Sequence, residues 1–183
     1  FLAGHGAGGD GAFDFGMAHS DLFAGVIPIS GRCQHHCQWT SKNDPNLSIY
    51  AISGELDRNL LSQNNAYFGK MIRYGGDGLY VEYKGRGYER FYEEIHRLFD
   101  WMELHRLGRD VSEIDFKIVR PTDNRLYWIE LSSLPESIYT NNPLDPETKN
   151  RTVSVEGRMT EVDGDQRIYL KSPRSKLTLW LSP

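Results

Sequence analysis

Cysteine is nearly absent from this chain: two residues in 183. That excludes a small disulfide-stapled scaffold and says little about the redox compartment. Nor is there any run of about 18–20 consecutive apolar residues, the length a membrane-spanning helix requires. Positive charge is not in excess, since 21 Lys and Arg stand against 25 Asp and Glu for a net charge of -4. A balance of that kind leaves no electrostatic footprint for nucleic acid or for an anionic membrane. Internal repeats and low-complexity tracts are missing, and no glycine is followed by the Lys-Ser/Thr pair of a P-loop. What remains is 39% hydrophobic and 25% charged, an ordinary globular composition of a size for one or two domains.

Over the first hundred or so residues, short apolar runs alternate with helical patterns, the signature of a parallel sheet with crossover helices. Strands are expected at "GVIPIS", "LSIYAIS" and "LYVEY", with Pro28 arguing that the first pairs incompletely. Helices are expected over residues 10–18, 60–74 and 89–107, the second stopped by Gly75 and Gly76. Ala12, Phe13, Phe15 and Met17 are the expected packing residues of the first helix. In the last, Phe91, Ile95, Leu98, Phe99 and Met102 share one face.

After Gly108 the period drops from 3.6 to 2. "FKIV" and "LYWIEL" flank the turn residues Pro121 to Asn124, and Val153, Val155 and Met159 share one strand face. Asp163-Gly164 is a two-residue hairpin signal before "RIYL", and Leu177, Leu179 and Leu181 alternate again. Residues 135–149 read as a long loop. The expected division is therefore an α/β part over residues 1–108 and a small antiparallel β module over 109–183.

The stretch that carries chemistry is "GHGAGGDGAF", residues 4–13. The pattern G-x-S-x-G sets a nucleophilic serine on a sharp strand-to-helix turn, and its triad partners follow in the order acid, histidine. Here Gly6 stands in the serine's place, Asp57 lies in the loop "AISGELDR", and Tyr88 in "EYKGRGYERFYEEI" takes the histidine's place. With "GHGAGG", "HSDLFAGVIPISG", "SGELD" and "GRGYERF" in this order, residues 1 to about 107 resemble the C-terminal half of an α/β-hydrolase, of the bacterial esterase and prolyl-oligopeptidase-like branch. In that family G-H-S-x-G-G and G-x-G-H-E would be usual at the first and last of these positions.

The resemblance implies a partial α/β-hydrolase-like parallel sheet without its N-terminal strands. It makes Gly6, Asp57 and Tyr88 the triad positions, of which only Asp57 matches, and gives Ala7 one oxyanion-hole N–H. It also implies a cleft for a small ester or peptide-like ligand, and a periplasmic or secreted setting, although the residues themselves fix no compartment. Glycine offers no atom for an acyl-enzyme, and a phenol, with an ordinary pKa of about 10, is a poor general base at neutral pH. The expectation is a hydrolase-like protein without serine hydrolase activity. One alternative is an active hydrolase with a non-standard nucleophile, for which Ser30 and Ser53 stand at strand ends. Another is a carbohydrate- or protein-binding β module presenting Tyr127, Trp128, Tyr169 and Trp180.

Other residues have plainer expected roles. His5, beside the turn's apex, packs; His96 and His105 lie on a solvated helix face. In "CQHHCQW", Cys33, His35, His36 and Cys37 have zinc-ligand chemistry but no second cluster to pair with, so a polar loop or helix is expected and no metal or other cofactor. Phe1-Leu2-Ala3 reads as the tail of a strand cut at its start, and "LTLWLSP" ends in or just after one. A piece of a longer chain is expected, its partner the remainder of the same polypeptide. Alone, it would fold poorly, with an unpaired sheet edge and an uncovered helix face.

Overall fold

Aliphatic and β-branched runs that are buried on both sides favour parallel strands covered by helices. A computed structural model of the chain places four parallel strands side by side, the inner two buried and the outer two partly exposed. They are β1 (Leu2–His5), β2 (Gly25–Ile29), β3 (Ser48–Gly54) and β4 (Gly78–Tyr83), all parallel and in that order. The intervening helices are α1 (Ala7–Ala18), a short α2 (Cys37–Thr40) and α3 (Leu60–Arg73), and α4 (Ile95–Leu104) follows β4. This is the α/β class expected, a parallel sheet with crossover helices. The structure describes residues 1–34, 36–40, 43, 47–57, 60–73, 75–108, 111–142, 150–173 and 176–181. His35, Tyr74 and residues 143–149 of the expected loop lie outside them. The chain divides into two units, Phe1–Leu107 and Gly108–Pro183.

Successive side chains of a strand point to opposite faces, and the first unit uses both. Ile49 and Ala51 of β3 join Phe13, Met17, Phe68 and Met71 in one core cluster. Tyr50 and Ile52 join Ile27, Phe91 and Trp101 in the other. β2 lies between β1 and β3, yet pairs with β3 only at Gly25, Val26 and Ile29. The gap falls at Ile27 and Pro28, as the missing proline N–H requires.

Two helix faces differ from the expectation. Phe15 of α1 is exposed, whereas Ala12, Phe13 and Met17 are buried. On α4 the packed residues are Leu98, Trp101 and Met102, while Ile95 and Phe99 face solvent. Glu94, in the turn before α4, is fully buried. It accepts hydrogen bonds from Tyr50 Oη (2.6 Å), Tyr83 Oη and Arg97 Nη1 (2.7 Å). Burial disfavours its charge, but these three donors outweigh burial and hold the carboxyl below the usual glutamate range. Burial, and after it the same contact, push the Tyr50 phenol far up.

Between β2 and β3, Cys33 and Cys37 form a disulfide. The sulfurs are therefore bonded to each other, and the zinc-ligand reading of "CQHHCQW" loses both its thiolates. Asp14 of α1 accepts the Cys37 N–H at 2.7 Å and tethers this segment to the helix.

The second unit is antiparallel. β5 (Glu113–Ile118) pairs with β8 (Val153–Val162), which pairs with β9 (Asp165–Lys171); a second sheet orders β10 (Leu177–Leu179), β7 (Ile129–Leu131) and β6 (Arg125–Leu126). The single expected strand "LYWIEL" is in fact a tight hairpin, turned at Tyr127 and Trp128 with φ of 50° at Tyr127. Both sheets share one core, built on Ile114, Phe116, Ile118, Trp128, Ile129 and Val155. Asp163 and Gly164 take φ of 56° and 82° in the β8–β9 turn, the geometry that the Asp-Gly pair favours. The expected loop after Pro135 contains a short helix, α5 (Glu136–Tyr139), pinned by buried Ile138. Asn141 then bonds Val119 and Arg151 backbone carbonyls at 2.7 Å each.

Candidate functional site

β1 runs into α1 through one residue, Gly6, whose φ of 59° and ψ of -120° lie where only glycine sits without strain. Its N–H donates to Ile29 C=O at 2.8 Å, and its C=O accepts the Asp10 N–H at 3.0 Å as the first bond of the helical ladder. The Ala7 N–H thus precedes that ladder and has no intrahelical acceptor. This is a strand-to-helix bend with its apex at position 6.

Asp57 follows β3 and Tyr88 follows β4, both at the ends of strands where the sheet's connections gather. Gly6, Ala7, Asp57 and Tyr88 all line one cavity of about 440 Å³, with Asp10, Ser30, Arg32 and Leu60. Residues far apart in sequence therefore meet around one space. Tyr88 is 60% exposed, and its phenol lies directly over Gly6, where a Cβ would otherwise project. Its ring packs on His5 with centroids 4.6 Å apart, and His5 Nε2 is 2.9 Å from the Glu89 carbonyl oxygen, so His5 has a packing role. The loop that carries Tyr88 is fixed by its backbone: Leu56 N–H donates to Arg86 C=O at 2.8 Å, and Gly85 N–H to Glu55 Oε2 at 2.7 Å. Arg86 pairs with both Glu89 and Glu93.

Asp57 is only 7% exposed. Its Oδ2 is buried and has no hydrogen-bond partner among the described residues. Ser30, 4% exposed with φ of 46°, likewise leaves its Oγ without a partner among them. Ser53 Oγ lies 2.5 Å from Tyr80 Oη. Among the described residues no histidine is hydrogen-bonded to either serine, and no hydrogen bond joins Asp57 to Tyr88.

The clamp around Asp10 was not legible in the sequence. Asp10 accepts the Arg32 N–H at 2.8 Å and a hydrogen bond from Gln34 Nε2, which holds the segment after β2 against the first turn of α1. Gly4, Gly6 and Gly9 also satisfy G-x-G-x-x-G between a strand and a helix, so spacing alone does not dismiss a dinucleotide turn. The acid that would hold the ribose of a dinucleotide is missing, since Ser30, Gly31 and Arg32 follow β2.

The remaining candidates disperse. His96 is exposed, but His105 is a helix cap, with Nδ1 2.6 Å from Trp101 C=O and Nε2 3.0 Å from Asp77 Oδ2. His36 is buried with Nδ1 4.0 Å from Asp14 Oδ2. Among the described residues no group of three or more His, Cys, Asp and Glu side chains is placed to hold a metal. In the β module, Trp128 is 7% exposed and donates its Nε1–H to Val111 C=O at 2.8 Å, so it belongs to the core. Tyr127 packs against that core, leaving Tyr169 and Trp180 exposed. Arg125 lies over the Trp180 ring at 4.9 Å, and Glu130 accepts its indole N–H at 2.9 Å. Among the described residues no helix is long and apolar enough to cross a membrane.

No protein-family model and no curated protein sequence matches the chain. Solved structures similar to it include a thermostable esterase, at 21% identity and a TM-score of 0.46 over 56% of this chain and 30% of that one. A ferulic acid esterase is similar at 20% identity and a TM-score of 0.41, over 53% and 46%. An acyl-protein thioesterase 2 from Zea mays is similar at 12% identity and a TM-score of 0.43, over 56% and 54%. The chain spans less than two thirds of the length of each of these proteins.

Proposed function

We propose that the first unit is the C-terminal part of an α/β-hydrolase domain whose catalytic positions have been replaced, and that its cleft binds a ligand without turning it over. One observation carries this reading. Gly6 occupies the apex of a bend with φ of 59°, and the Tyr88 phenol fills the place of the side chain it lacks. An acyl transfer needs a nucleophilic atom at that apex and a base beside it. Gly6 supplies no nucleophile, and the group beside it is a phenol. Asp57 persists as the third member, buried and unpartnered among the described residues, with nothing to orient. Loss of any one triad member leaves about 10³–10⁴-fold catalysis over water in serine proteases, and here two positions are replaced.

The alternative of a displaced nucleophile finds no support in the geometry, because neither Ser30 nor Ser53 has a histidine to activate it among the described residues. An aromatic binding face on the β module is weakened by the burial of Trp128. The test is turnover. With p-nitrophenyl acetate and p-nitrophenyl butyrate, the purified protein is expected to hydrolyse neither above the buffer rate. Saturable turnover abolished by a serine-reactive inhibitor would refute the non-catalytic reading.

A further inference from the structure

A strand at the end of a sheet leaves alternate backbone N–H and C=O groups without a ladder partner, and proteins blunt such edges with prolines, bulges or brevity. β9 has none of these devices. It runs seven residues, Asp165–Lys171, and contains no proline. Its register with β8 is unbroken from Glu156↔Lys171 to Val162↔Asp165. Among the described residues β8 is its only neighbour, in the order β5-β8-β9, and every residue of β9 except Ile168 is exposed.

Two observations decide which backbone groups face outward. Asp163 and Gly164 form a two-residue turn with φ of 56° and 82°, so the flanking Val162 and Asp165 are a hydrogen-bonded pair. On the other side of β8, the Met159 N–H donates to Ser112 C=O at 2.7 Å, away from β9. The pairs alternate accordingly. Asp165, Arg167, Tyr169 and Lys171 bond to β8, while Gln166, Ile168 and Leu170 aim their N–H and C=O groups at the open edge.

The side chains select what can pair there. Laying β9 antiparallel against itself about Ile168 sets Asp165 opposite Lys171 and Arg167 opposite Tyr169, each twice, and Gln166 opposite Leu170. Every outward N–H of one copy then meets an outward C=O of the other. The Asp165–Lys171 and Arg167–Tyr169 pairs fall at non-hydrogen-bonded positions, where facing side chains are closest. Opposite charges are favourable there, and a guanidinium over a tyrosine ring adds a cation–π contact. Moving the register by two residues either way sets Arg167 opposite Arg167 or Arg167 opposite Lys171, like charges face to face. Lys171 Nζ donates to Glu156 Oε1 at 2.8 Å in its own chain and keeps further donors for a carboxylate across the seam.

From these observations we infer that β9 is the seam of a homodimer, in which a second copy of this chain joins two three-stranded sheets into one continuous sheet. The two-fold axis passes at Ile168, whose side chain packs against the core of the second unit. The pairing uses the second unit alone and stands whether or not the cleft of the first binds a ligand. A seam of one strand from each copy is small, so the dimer exchanges reversibly with monomer.

The experiment follows sedimentation of the 183-residue chain from about 1 to about 300 µM, a range suited to a small interface. The parent is expected to pass from monomer to dimer. Asp165→Lys and Lys171→Asp each put like charges at both ends of the seam, and each is expected to weaken dimerisation at least about tenfold. Mixed in equal amounts, the two variants oppose unlike charges again at both ends, and a heterodimer close to the parent's affinity is expected. Gln166→Pro removes an outward N–H without taking a bond from β8, and it is expected to weaken the dimer too. A parent that stays monomeric throughout would overturn the assignment. So would a dimer that survives both charge reversals, or a mixture that fails to recover. Should either reversal fail to fold, Gln166→Pro decides: undiminished dimerisation in it counts against the seam.

Discussion

The phenol of Tyr88 and the α-carbon of Gly6 share one space: a methyl group built on Gly6 would collide with Tyr88 Oη. The two positions, 82 residues apart in a chain that numbers them 6 and 88, are thus complementary in shape. A glycine at the apex admits the larger phenol, and the phenol closes the opening the missing side chain leaves.

That relationship is measurable as a coupling. Gly6→Ala is expected to cost about 1–2 kcal/mol from its φ alone, since an L side chain in that region crowds its own backbone. In the parent it also pushes Tyr88 aside, and in a Tyr88→Ala background that part vanishes. A double-mutant cycle by chemical denaturation is expected to give a coupling of about 0.5 kcal/mol or more. Additive costs would mean that the two groups do not touch.

Glu94 is expected to contribute to the acid stability of the first unit. Burial works against its charge, yet the donors Tyr50, Tyr83 and Arg97 prevail and hold its folded-state pKa below the usual range. The contribution is complete above the unfolded value of about 4.3 and is lost as pH falls through the lower folded-state value. Thermal melts between pH 6 and about pH 3 are expected to fall more steeply for the parent than for Glu94→Gln, which cannot ionise. Parallel curves would mean that Glu94 has no part in acid stability.

Joining Cys33 to Cys37 closes a short loop, so its effect on the unfolded chain is modest. The Cys33→Ser/Cys37→Ser double variant is expected to lose about 2 kcal/mol by the chain-entropy estimate. Reductant is expected to lower the parent's melting temperature and leave the double variant's unchanged.

Much of the first unit could be read from the residues because its signals are local. Runs such as "LSIYAIS" are too apolar for an exposed position, and Gly75 and Gly76 mark a helix stop. The order in which Gly6, Asp57 and Tyr88 occur pointed to the cavity, since a parallel sheet brings successive strand ends to one side. Three features escaped for physical reasons. The burial of the Glu94 carboxylate rests on tertiary contacts with Tyr50 and Tyr83, which no helical period encodes. The break in "LYWIEL" depends on Tyr127 adopting a positive φ, which β-propensity does not favour. The Cys33–Cys37 bond depends on the loop bringing both α-carbons within 5.2 Å, a separation their spacing alone did not fix.

The most direct test of the central claim is covalent labelling with a fluorophosphonate, read as intact mass, on the parent and on Gly6→Ser/Tyr88→His. The parent is expected to take up no probe, and the double variant to gain an adduct mapping to position 6. A stoichiometric adduct on the parent would show an active nucleophile in the protein and contradict the claim.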